Sequence, residues 1–452
     1  MTKCLRRRAL EPRRGQTMTR KTQTGAASLA ITLILLFGMT LVAFYAGRVM
    51  IFEQKTSANQ YRSTQAFEAA DAGLEWAVVM LNETRSTDAS CIVDGGSATF
   101  RNRYVPATLA GSAIVLTPVA TPMVAGCSID ATGALTCSCP ASGSVSAASL
   151  LADAPTFTVE FATVAGDNES IEVTSRGCTS AGSQCVANAP SGADAFAVAR
   201  LVVKMRRVVR AMPAVPLSAG QWAAVCGAFQ ISNTDRATNG NLVDAGGAVL
   251  IGQSTYQAGT LPIGAPHCSG NGQTLQTLDG SPPADSIVAA DSTLSGASAS
   301  PDAMFSTLFG TRLAQYEAAA TTHVISGPNG LANAATLVDA YVRHGKRAFW
   351  VDGPLQFSGS VTLGTDASPV IVAASGEIAF NGSSTIRGLI YADSARWNDD
   401  GAGSTVVVGA VVSRASFYNN GSGSITYDPN VLARLNKEIG VATKVPGSWR
   451  DN

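Results

Sequence analysis

The chain has 452 residues, 46% of them hydrophobic and only 14% charged, with 32 basic side chains balanced by 32 acidic ones. Eight of the bases and a single acid fall in residues 1–25, so the remainder is mildly acidic and has no electrostatic footprint for nucleic acid. Low charge with abundant Gly, Ala, Ser and Thr excludes a typical cytosolic helical protein and fits an exported, strand-rich chain with room for two domains beyond an anchor.

Residues 1–25 form a basic leader: Lys3, Arg6, Arg7, Arg8, Arg13, Arg14, Arg20 and Lys21 stand against Glu11, and Met18 offers a second start within it. From Ala26 to Gly47 the sequence carries no charge. That run spans about 33 Å as a helix, enough for a bilayer core. A secretory signal has a shorter apolar region, about 7–15 residues, and ends in a small-residue cleavage site; neither holds here. The spacing predicts a transmembrane helix over 26–47 with the basic flank on the cytoplasmic side and the bulk of the chain across the membrane. Helical character continues to about residue 83. Ala66, Ala70, Gly73, Ala77, Met80 and Leu81 recur at three- and four-residue spacing, a face of small residues that another surface can approach closely.

The leader ending in Gly25, the charge-free helix from Ala26 and the run "AFEAADAGLEWA" (66–77) together resemble the PilX-type minor pilins of type IV pili. The resemblance implies cleavage between Gly25 and Ala26 by a prepilin peptidase, after which the apolar helix packs among other minor and major pilins. It implies an inner-membrane, single-pass protein of a Gram-negative bacterium, with a periplasmic bulk that becomes extracellular in the pilus. Most pilins carry a glutamate five residues into the mature chain, where this sequence has Ala30. The absent glutamate implies a subunit other than the repeating major pilin.

Past residue 84 the sequence turns to strands. "TFTVEFATV" alternates Phe157, Val159 and Phe161 with polar residues, and "SIEVTSRG" and "AFAVARLVVKMRRVV" follow in the same style. Three strands behind a long helix fit a helix laid on an antiparallel sheet, the pilin-like head, over 84–212. The stretch between Cys91 and Ala154 reads as a variable loop region tied by disulfides. Cys4 lies in the leader, leaving Cys91, Cys127, Cys137, Cys139, Cys178, Cys185, Cys226 and Cys268. An even number in an exported chain reads as disulfides, with Cys178 and Cys185 the most local pair and the other pairings open. The Cys137-Ser-Cys139 spacing is half a metal site without the second half, so no metal is expected.

"AMPAVPLSAG" (211–220) reads as a boundary. Beyond it "GPLQFSGSVTLG", "GEIAFNGSSTIRG" and "RASFYNNGSGSITY" each give a short strand, a Gly turn and a second short strand. A repeat near twenty residues predicts a β-solenoid-like domain over 213–440. Val370, Ile371, Val372, Leu389, Ile390, Val406, Val407 and Val408 are its expected inward ladders. "PDAMFSTLFGTRLAQYEAAA" and "GLANAATLVDAYVRHG" read as two inserted helices. "LFGTR", "FWVDG", "SPVIVAASGEI" and "YDPNVLARL" also resemble the C-terminal halves of long PilX-like assembly proteins. Residues 441–452 are expected as a tail. The expected fold is thus α+β: transmembrane helix, antiparallel-sheet head and β-solenoid-like domain.

No catalytic constellation stands out. His267, His323 and His344 lie in unrelated contexts, and no nucleophile elbow, zinc-helix or phosphate-loop motif is present. In "WNDDGAG", Asn398, Asp399 and Asp400 make a polar turn, with calcium near Asp399 and Asp400 as its one cofactor candidate. The expected function is a non-enzymatic minor pilin or pilus assembly protein that primes assembly or sits at the tip. A minor pseudopilin of type II secretion and a membrane-anchored solenoid adhesin or glycosidase are the alternatives.

Overall fold

The computed structural model describes residues 24–93, 96–110, 113–119, 123–181, 185, 195–256, 268, 272–279, 281, 283–319, 321–397 and 404–451. They fall into two compact units that divide between Tyr61 and Arg62. Residues 1–23 of the expected leader, 1–25, and the turn with Asn398, Asp399 and Asp400 lie outside the described residues.

The first helix, α1 (Thr24–Asn82), starts two residues before the expected span and ends one short of it. In the first unit its side chains from 27 to 61 are all exposed. The Thr32 and Thr40 hydroxyls donate to the carbonyls of Leu29 and Phe37, which satisfies these polar groups within the helix itself.

In the second unit, β1 (Ser86–Thr87) pairs with β2 (Ala98–Thr99), helix α2 (Phe100–Tyr104) follows, and β3 (Ala107–Ala110) and β4 (Ala113–Leu116) form a hairpin. Then come β5 (Ala125–Ile129), β6 (Leu135–Ser138), β7 (Thr156–Val164), β8 (Asp167–Cys178) and β9 (Phe196–Arg206), antiparallel in the order β6-β5-β7-β8-β9. The span 91–154, expected as loop, therefore contains an inserted hairpin and two strands of the main sheet. Their sequences are short and rich in Ala, Gly, Ser and Thr, and pairing rather than propensity makes them strands: β3 with β4, β6 with β5, and β5 with β7.

Beyond β9 lie β10 (Leu217–Ala219), β11 (Trp222–Val225), β12 (Phe229–Ser232), β13 (Val243–Ala245), β14 (Val249–Ile251), β15 (Ser254–Tyr256), β16 (Thr274–Gln276) and β17 (Ile287–Val288). Helices α3 (Ser292–Ser298), α4 (Pro301–Phe309) and α5 (Leu313–Glu317) lead to β18 (Thr322–Ile325), and α6 (Gly327–Ala332) and α7 (Ala334–Arg343) follow. Each of the two expected helices is thus two: Gly310 and Asn333 break them. The chain continues through β19 (Ala348–Val351), β20 (Leu355–Phe357), β21 (Thr362–Leu363), β22 (Val370–Ala374), β23 (Glu377–Phe380), β24 (Thr385–Ala392), β25 (Ser394–Trp397), β26 (Ser404–Ser413), β27 (Ser416–Asn419) and β28 (Ser422–Thr426).

These strands make one 12-stranded and one 7-stranded sheet, parallel throughout except where β14 meets β15. Ala348 pairs with Ile371, Ile371 with Leu389 and Leu389 with Ala410, steps of 23, 18 and 21 residues. In the smaller sheet Leu355, Ile378, Ala395 and Phe417 line up in the same way. The order in space is not the order in the chain. The strands β26, β27 and β28 lie beside β10, β11 and β12, which precede them by about 190 residues.

Side chains alternate across the large sheet. Val370, Val372, Ile390 and Val411 face the core shared with Phe357, Phe380 and Phe417 of the smaller sheet. Ile371, Leu389 and Ala410 face the opposite way, onto Phe305 and Phe309 of α4 and onto Leu432 and Leu435. The expected ladder of inward residues therefore divides in two, and Val406 and Val408 are only half-buried beside the buried Val407. Two-residue periodicity imposes this division on any apolar run buried on both faces. Gly388 and Gly409 are paired neighbours in β24 and β26 with φ of 146° and 137°, and a Cβ on Gly409 would strike the Gly388 carbonyl oxygen. The first halves of these strands pair with one set of neighbours and the second halves with another, and the two glycines stand at the change.

After β28, helix α8 (Pro429–Ile439) covers the large sheet, and β29 (Val441–Lys444) and β30 (Arg450–Asp451) both pair with β9. In the segment 441–452, expected as a tail, residues 441–444 and 450–451 are strands of the antiparallel sheet. Alternation too short to register in sequence is stabilised there by the open edge of β9.

Candidate functional site

The N-terminal helix carries two different surfaces. Between 29 and 45 its side chains are apolar on every side, with Leu29, Ile34, Phe37, Met39, Val42, Phe44 and Tyr45 exposed. A helix hydrophobic all round belongs in lipid or in a helical bundle. The helix is long and apolar enough to cross a membrane. Gly25 and Ala26 lie in the first turn of α1, and Ala30 is exposed within this stretch.

Residues 66–81 carry the second surface. Ala66, Ala69, Ala70, Leu74, Ala77, Met80 and Leu81 are buried against the antiparallel sheet. Ala69 and Leu74 belong to the face the spacing outlined but were not picked out by it. The approach is close because both partners are small. A Cβ on Gly73 would meet Ser175 Oγ at 2.2 Å and the Phe157 ring at 2.8 Å, and one on Gly177 of β8 would meet the Ala66 carbonyl oxygen at 2.0 Å. Trp76 closes the flank, with ring centroids 5.3 Å from Phe100 and 5.5 Å from Phe157.

The late strands bind this half of the helix. The Asn82 side chain donates to the Ala442 carbonyl at 2.9 Å and accepts from its N–H at 2.8 Å, continuing the edge of β29 as a strand would. Lys444 pairs with Glu75, and Trp449 sets its ring edge-on to Phe67. Two buried polar side chains then join the antiparallel sheet to the parallel ones. Arg101 Nη1 donates to the Gly440 carbonyl at 2.7 Å and Nη2 to that of Glu438, at the C-terminal end of α8 where a cation is favoured. Burial lowers the Arg101 pKa, and Glu438 acts against that fall. Asn436 accepts from the Val209 N–H at 2.8 Å and donates to its carbonyl at 2.7 Å. No motif in the sequence marks Arg101, Asn82 or Asn436; their partners lie hundreds of residues away.

Eight cysteines form four disulfides: Cys91–Cys139, Cys127–Cys137, Cys178–Cys185 and Cys226–Cys268. Cys127 and Cys137 are directly opposed across β5 and β6. Among the described residues no group of three or more His, Cys, Asp or Glu could hold a metal ion.

Residues 24–75 match the family model described as PilX N-terminal. No curated protein matches the chain. One similar solved structure is the competence-associated pilin ComZ from Thermus thermophilus, 13% identical, with 86% of this chain and 97% of that chain covered at a TM-score of 0.24. A score that low falls short of a shared backbone arrangement. The chain is type IV pilin-like over its N-terminal segment, whose apolar helix fits a single-pass membrane anchor of that class.

Proposed function

We propose that the protein is a minor pilin or pilus assembly protein that is cut between Gly25 and Ala26 and enters a type IV pilus with other pilins. The observation that carries this is the PilX-type match over 24–75, which includes the charge-free run 26–47 directly behind a basic leader. On this reading the antiparallel sheet seated on α1 is a pilin-like head, and the stacked parallel strands are a β-solenoid displayed from it. The role is assembly and display rather than catalysis.

Ala30 supports a place at or near the tip. A carboxylate buried in an apolar bundle needs a partner to offset its desolvation, and a subunit without one makes no such demand on a neighbour above it. The parallel-stranded part would also crowd the neighbours of a tightly wound shaft.

Processing is tested by mass spectrometry of the N-terminus. The expected mature chain begins at Ala26, and Gly25→Val leaves the leader attached. Thiol counting gives an independent readout. Cys4 lies in the leader and the other eight cysteines are paired, so an unreduced, denatured precursor begun at Met1 should present one reactive thiol and the processed chain none. A protein that starts at Met1 or Met18 in cells with an active prepilin peptidase would refute the reading. For position, gold-labelled antibody against residues 350–427 should mark filament ends; regular labelling along the shaft would exclude the tip.

A further inference from the structure

A cleft of about 620 Å³ lies between the end of β9, the strand β29 and the turn from α4 to α5. Its size is that of small-molecule sites, about 300–1,000 Å³, which combine apolar walls with a few convergent polar groups. Apolar surface comes from Val208, Phe309 and Val441, and the rim carries Lys204, Arg206, Arg207 and Arg210. Two of these cations are already matched: Arg207 pairs with Glu169 at 2.6 Å and Lys204 with Asp167 at 2.9 Å. Arg206 and Arg210 are exposed, and neither forms an ion pair among the described residues. Arg210 lies along Gly310, where a Cβ would come within 2.8 Å of its stem, so the bare turn gives that side chain its course beside the cleft.

Tyr316 and Thr321 also line the cleft. Both are buried, and Thr321 Oγ1 has no hydrogen-bond partner among the described residues. Burial raises the Tyr316 pKa and a side-chain hydrogen-bond interaction with Thr322 works against that rise, so Thr321 Oγ1 is the unpartnered hydroxyl on this wall. Folded proteins leave few buried hydroxyls unpaired. Thr311 and Gln315 line the same cleft, and their side chains bond each other at 2.9 Å, which leaves the Gln315 amide N–H groups for another acceptor.

We propose that this cleft binds a carboxylated sugar, with the carboxylate on Arg206 and Arg210 and the ring hydroxyls toward Gln315 and Thr321. Guanidinium groups favour carboxylate through paired hydrogen bonds. A ring of hydroxyls, each both donor and acceptor, matches the mixed hydroxyl and amide end. A compact anion such as phosphate would reach the guanidiniums and leave that end unpaired. Filament assembly plays no part in the assignment, so it stands or falls separately from the pilin reading.

The test is calorimetric titration of the full chain in detergent with D-glucuronate, D-glucose and inorganic phosphate. Glucuronate should bind saturably, with glucose and phosphate each about tenfold or more weaker, because each lacks one half of the match. Arg210→Gln and Arg206→Gln, at exposed positions, should each weaken glucuronate binding about tenfold without moving the melting midpoint. Thr321→Val should weaken it without altering charge, and Arg236→Gln, an exposed cation elsewhere, should leave it unchanged. Tighter binding of a short uronate oligomer assigns the site to a polymer; equal binding assigns it to the free sugar. Absence of saturable glucuronate binding, phosphate binding as tight as glucuronate, or an equal loss in Arg236→Gln would each overturn the proposal.

Discussion

A methyl group at Gly177 would sit 2.0 Å from the Ala66 carbonyl oxygen and 2.3 Å from the Ala70 nitrogen, inside van der Waals contact with both. The obstacle is helix backbone, which cannot rotate away as a side chain can. Gly177→Ala should therefore push α1 off β8 and destabilise the second unit by about 3 kcal/mol, measured by chemical denaturation. Asp244 in β13 is a different kind of residue-scale strain. Its Oδ1 is buried without a hydrogen bond, and burial, then the charge of Asp291, push its pKa up to about 6. The unfolded value is about 3.9, so the fold holds the proton more tightly, and this contribution to stability declines as pH rises from about 4 to 6. Asp244→Asn should flatten that decline and raise stability at pH 7 by on the order of 1 kcal/mol, a figure reduced because the side chain is half in solvent. Melting midpoints across pH 4–8 would show it; an unchanged slope would mean that Asp244 is not the titrating group.

At the scale of elements, α8 depends on Asn436. Asn436→Ala would leave the Val209 N–H and carbonyl buried without partners, at a cost of about 3 kcal/mol, and hydrogen exchange at Val209 should accelerate. Removing residues 441–451 takes away both partners of one edge of β9 and the mate of Asn82. Limited proteolysis should then cut within 196–206. The same elements show what could be read in advance. The helix was legible because Ala66, Ala70, Gly73 and Ala77 repeat at its period, and β7, β8 and β9 because they are nine to twelve residues long and carry alternating apolar residues such as Phe157, Val159 and Phe161. β5, β29 and β30 span five, four and two residues, too few for a period to register, and they are strands because a longer neighbour offers its edge. Of the functional face, the small residues were legible; the clamps Asn82, Arg101 and Asn436 were not, because each is defined by a partner far along the chain.

For the whole molecule, the deciding feature is the join at which β26, β27 and β28 lie against β10, β11 and β12. Phe229 and Phe417 pack across it, centroids 6.1 Å apart, both fully buried. Phe229→Ala should cost about 3–5 kcal/mol, more than its place in a four-residue strand suggests, because it opens a cavity where the two portions meet. Thermal unfolding followed by proteolysis should show the join yielding first; a midpoint unchanged from wild type would show that the two portions hold without it.

That join also dictates an order of events during synthesis. A chain delivered from its N-terminus presents β10, β11 and β12 long before the strands that cover them on one side exist. Winding cannot proceed from one end to the other. One portion forms, a second begins at its far end, and the two meet only when β28 arrives, a long-range closure of the slow kind. A chain halted before residue 404 would carry bare parallel edges open to proteases and to other unfinished chains. Completion of translation is thus recorded in the molecule as the disappearance of an edge, and degradation of truncated chains needs no recognition signal beyond that edge.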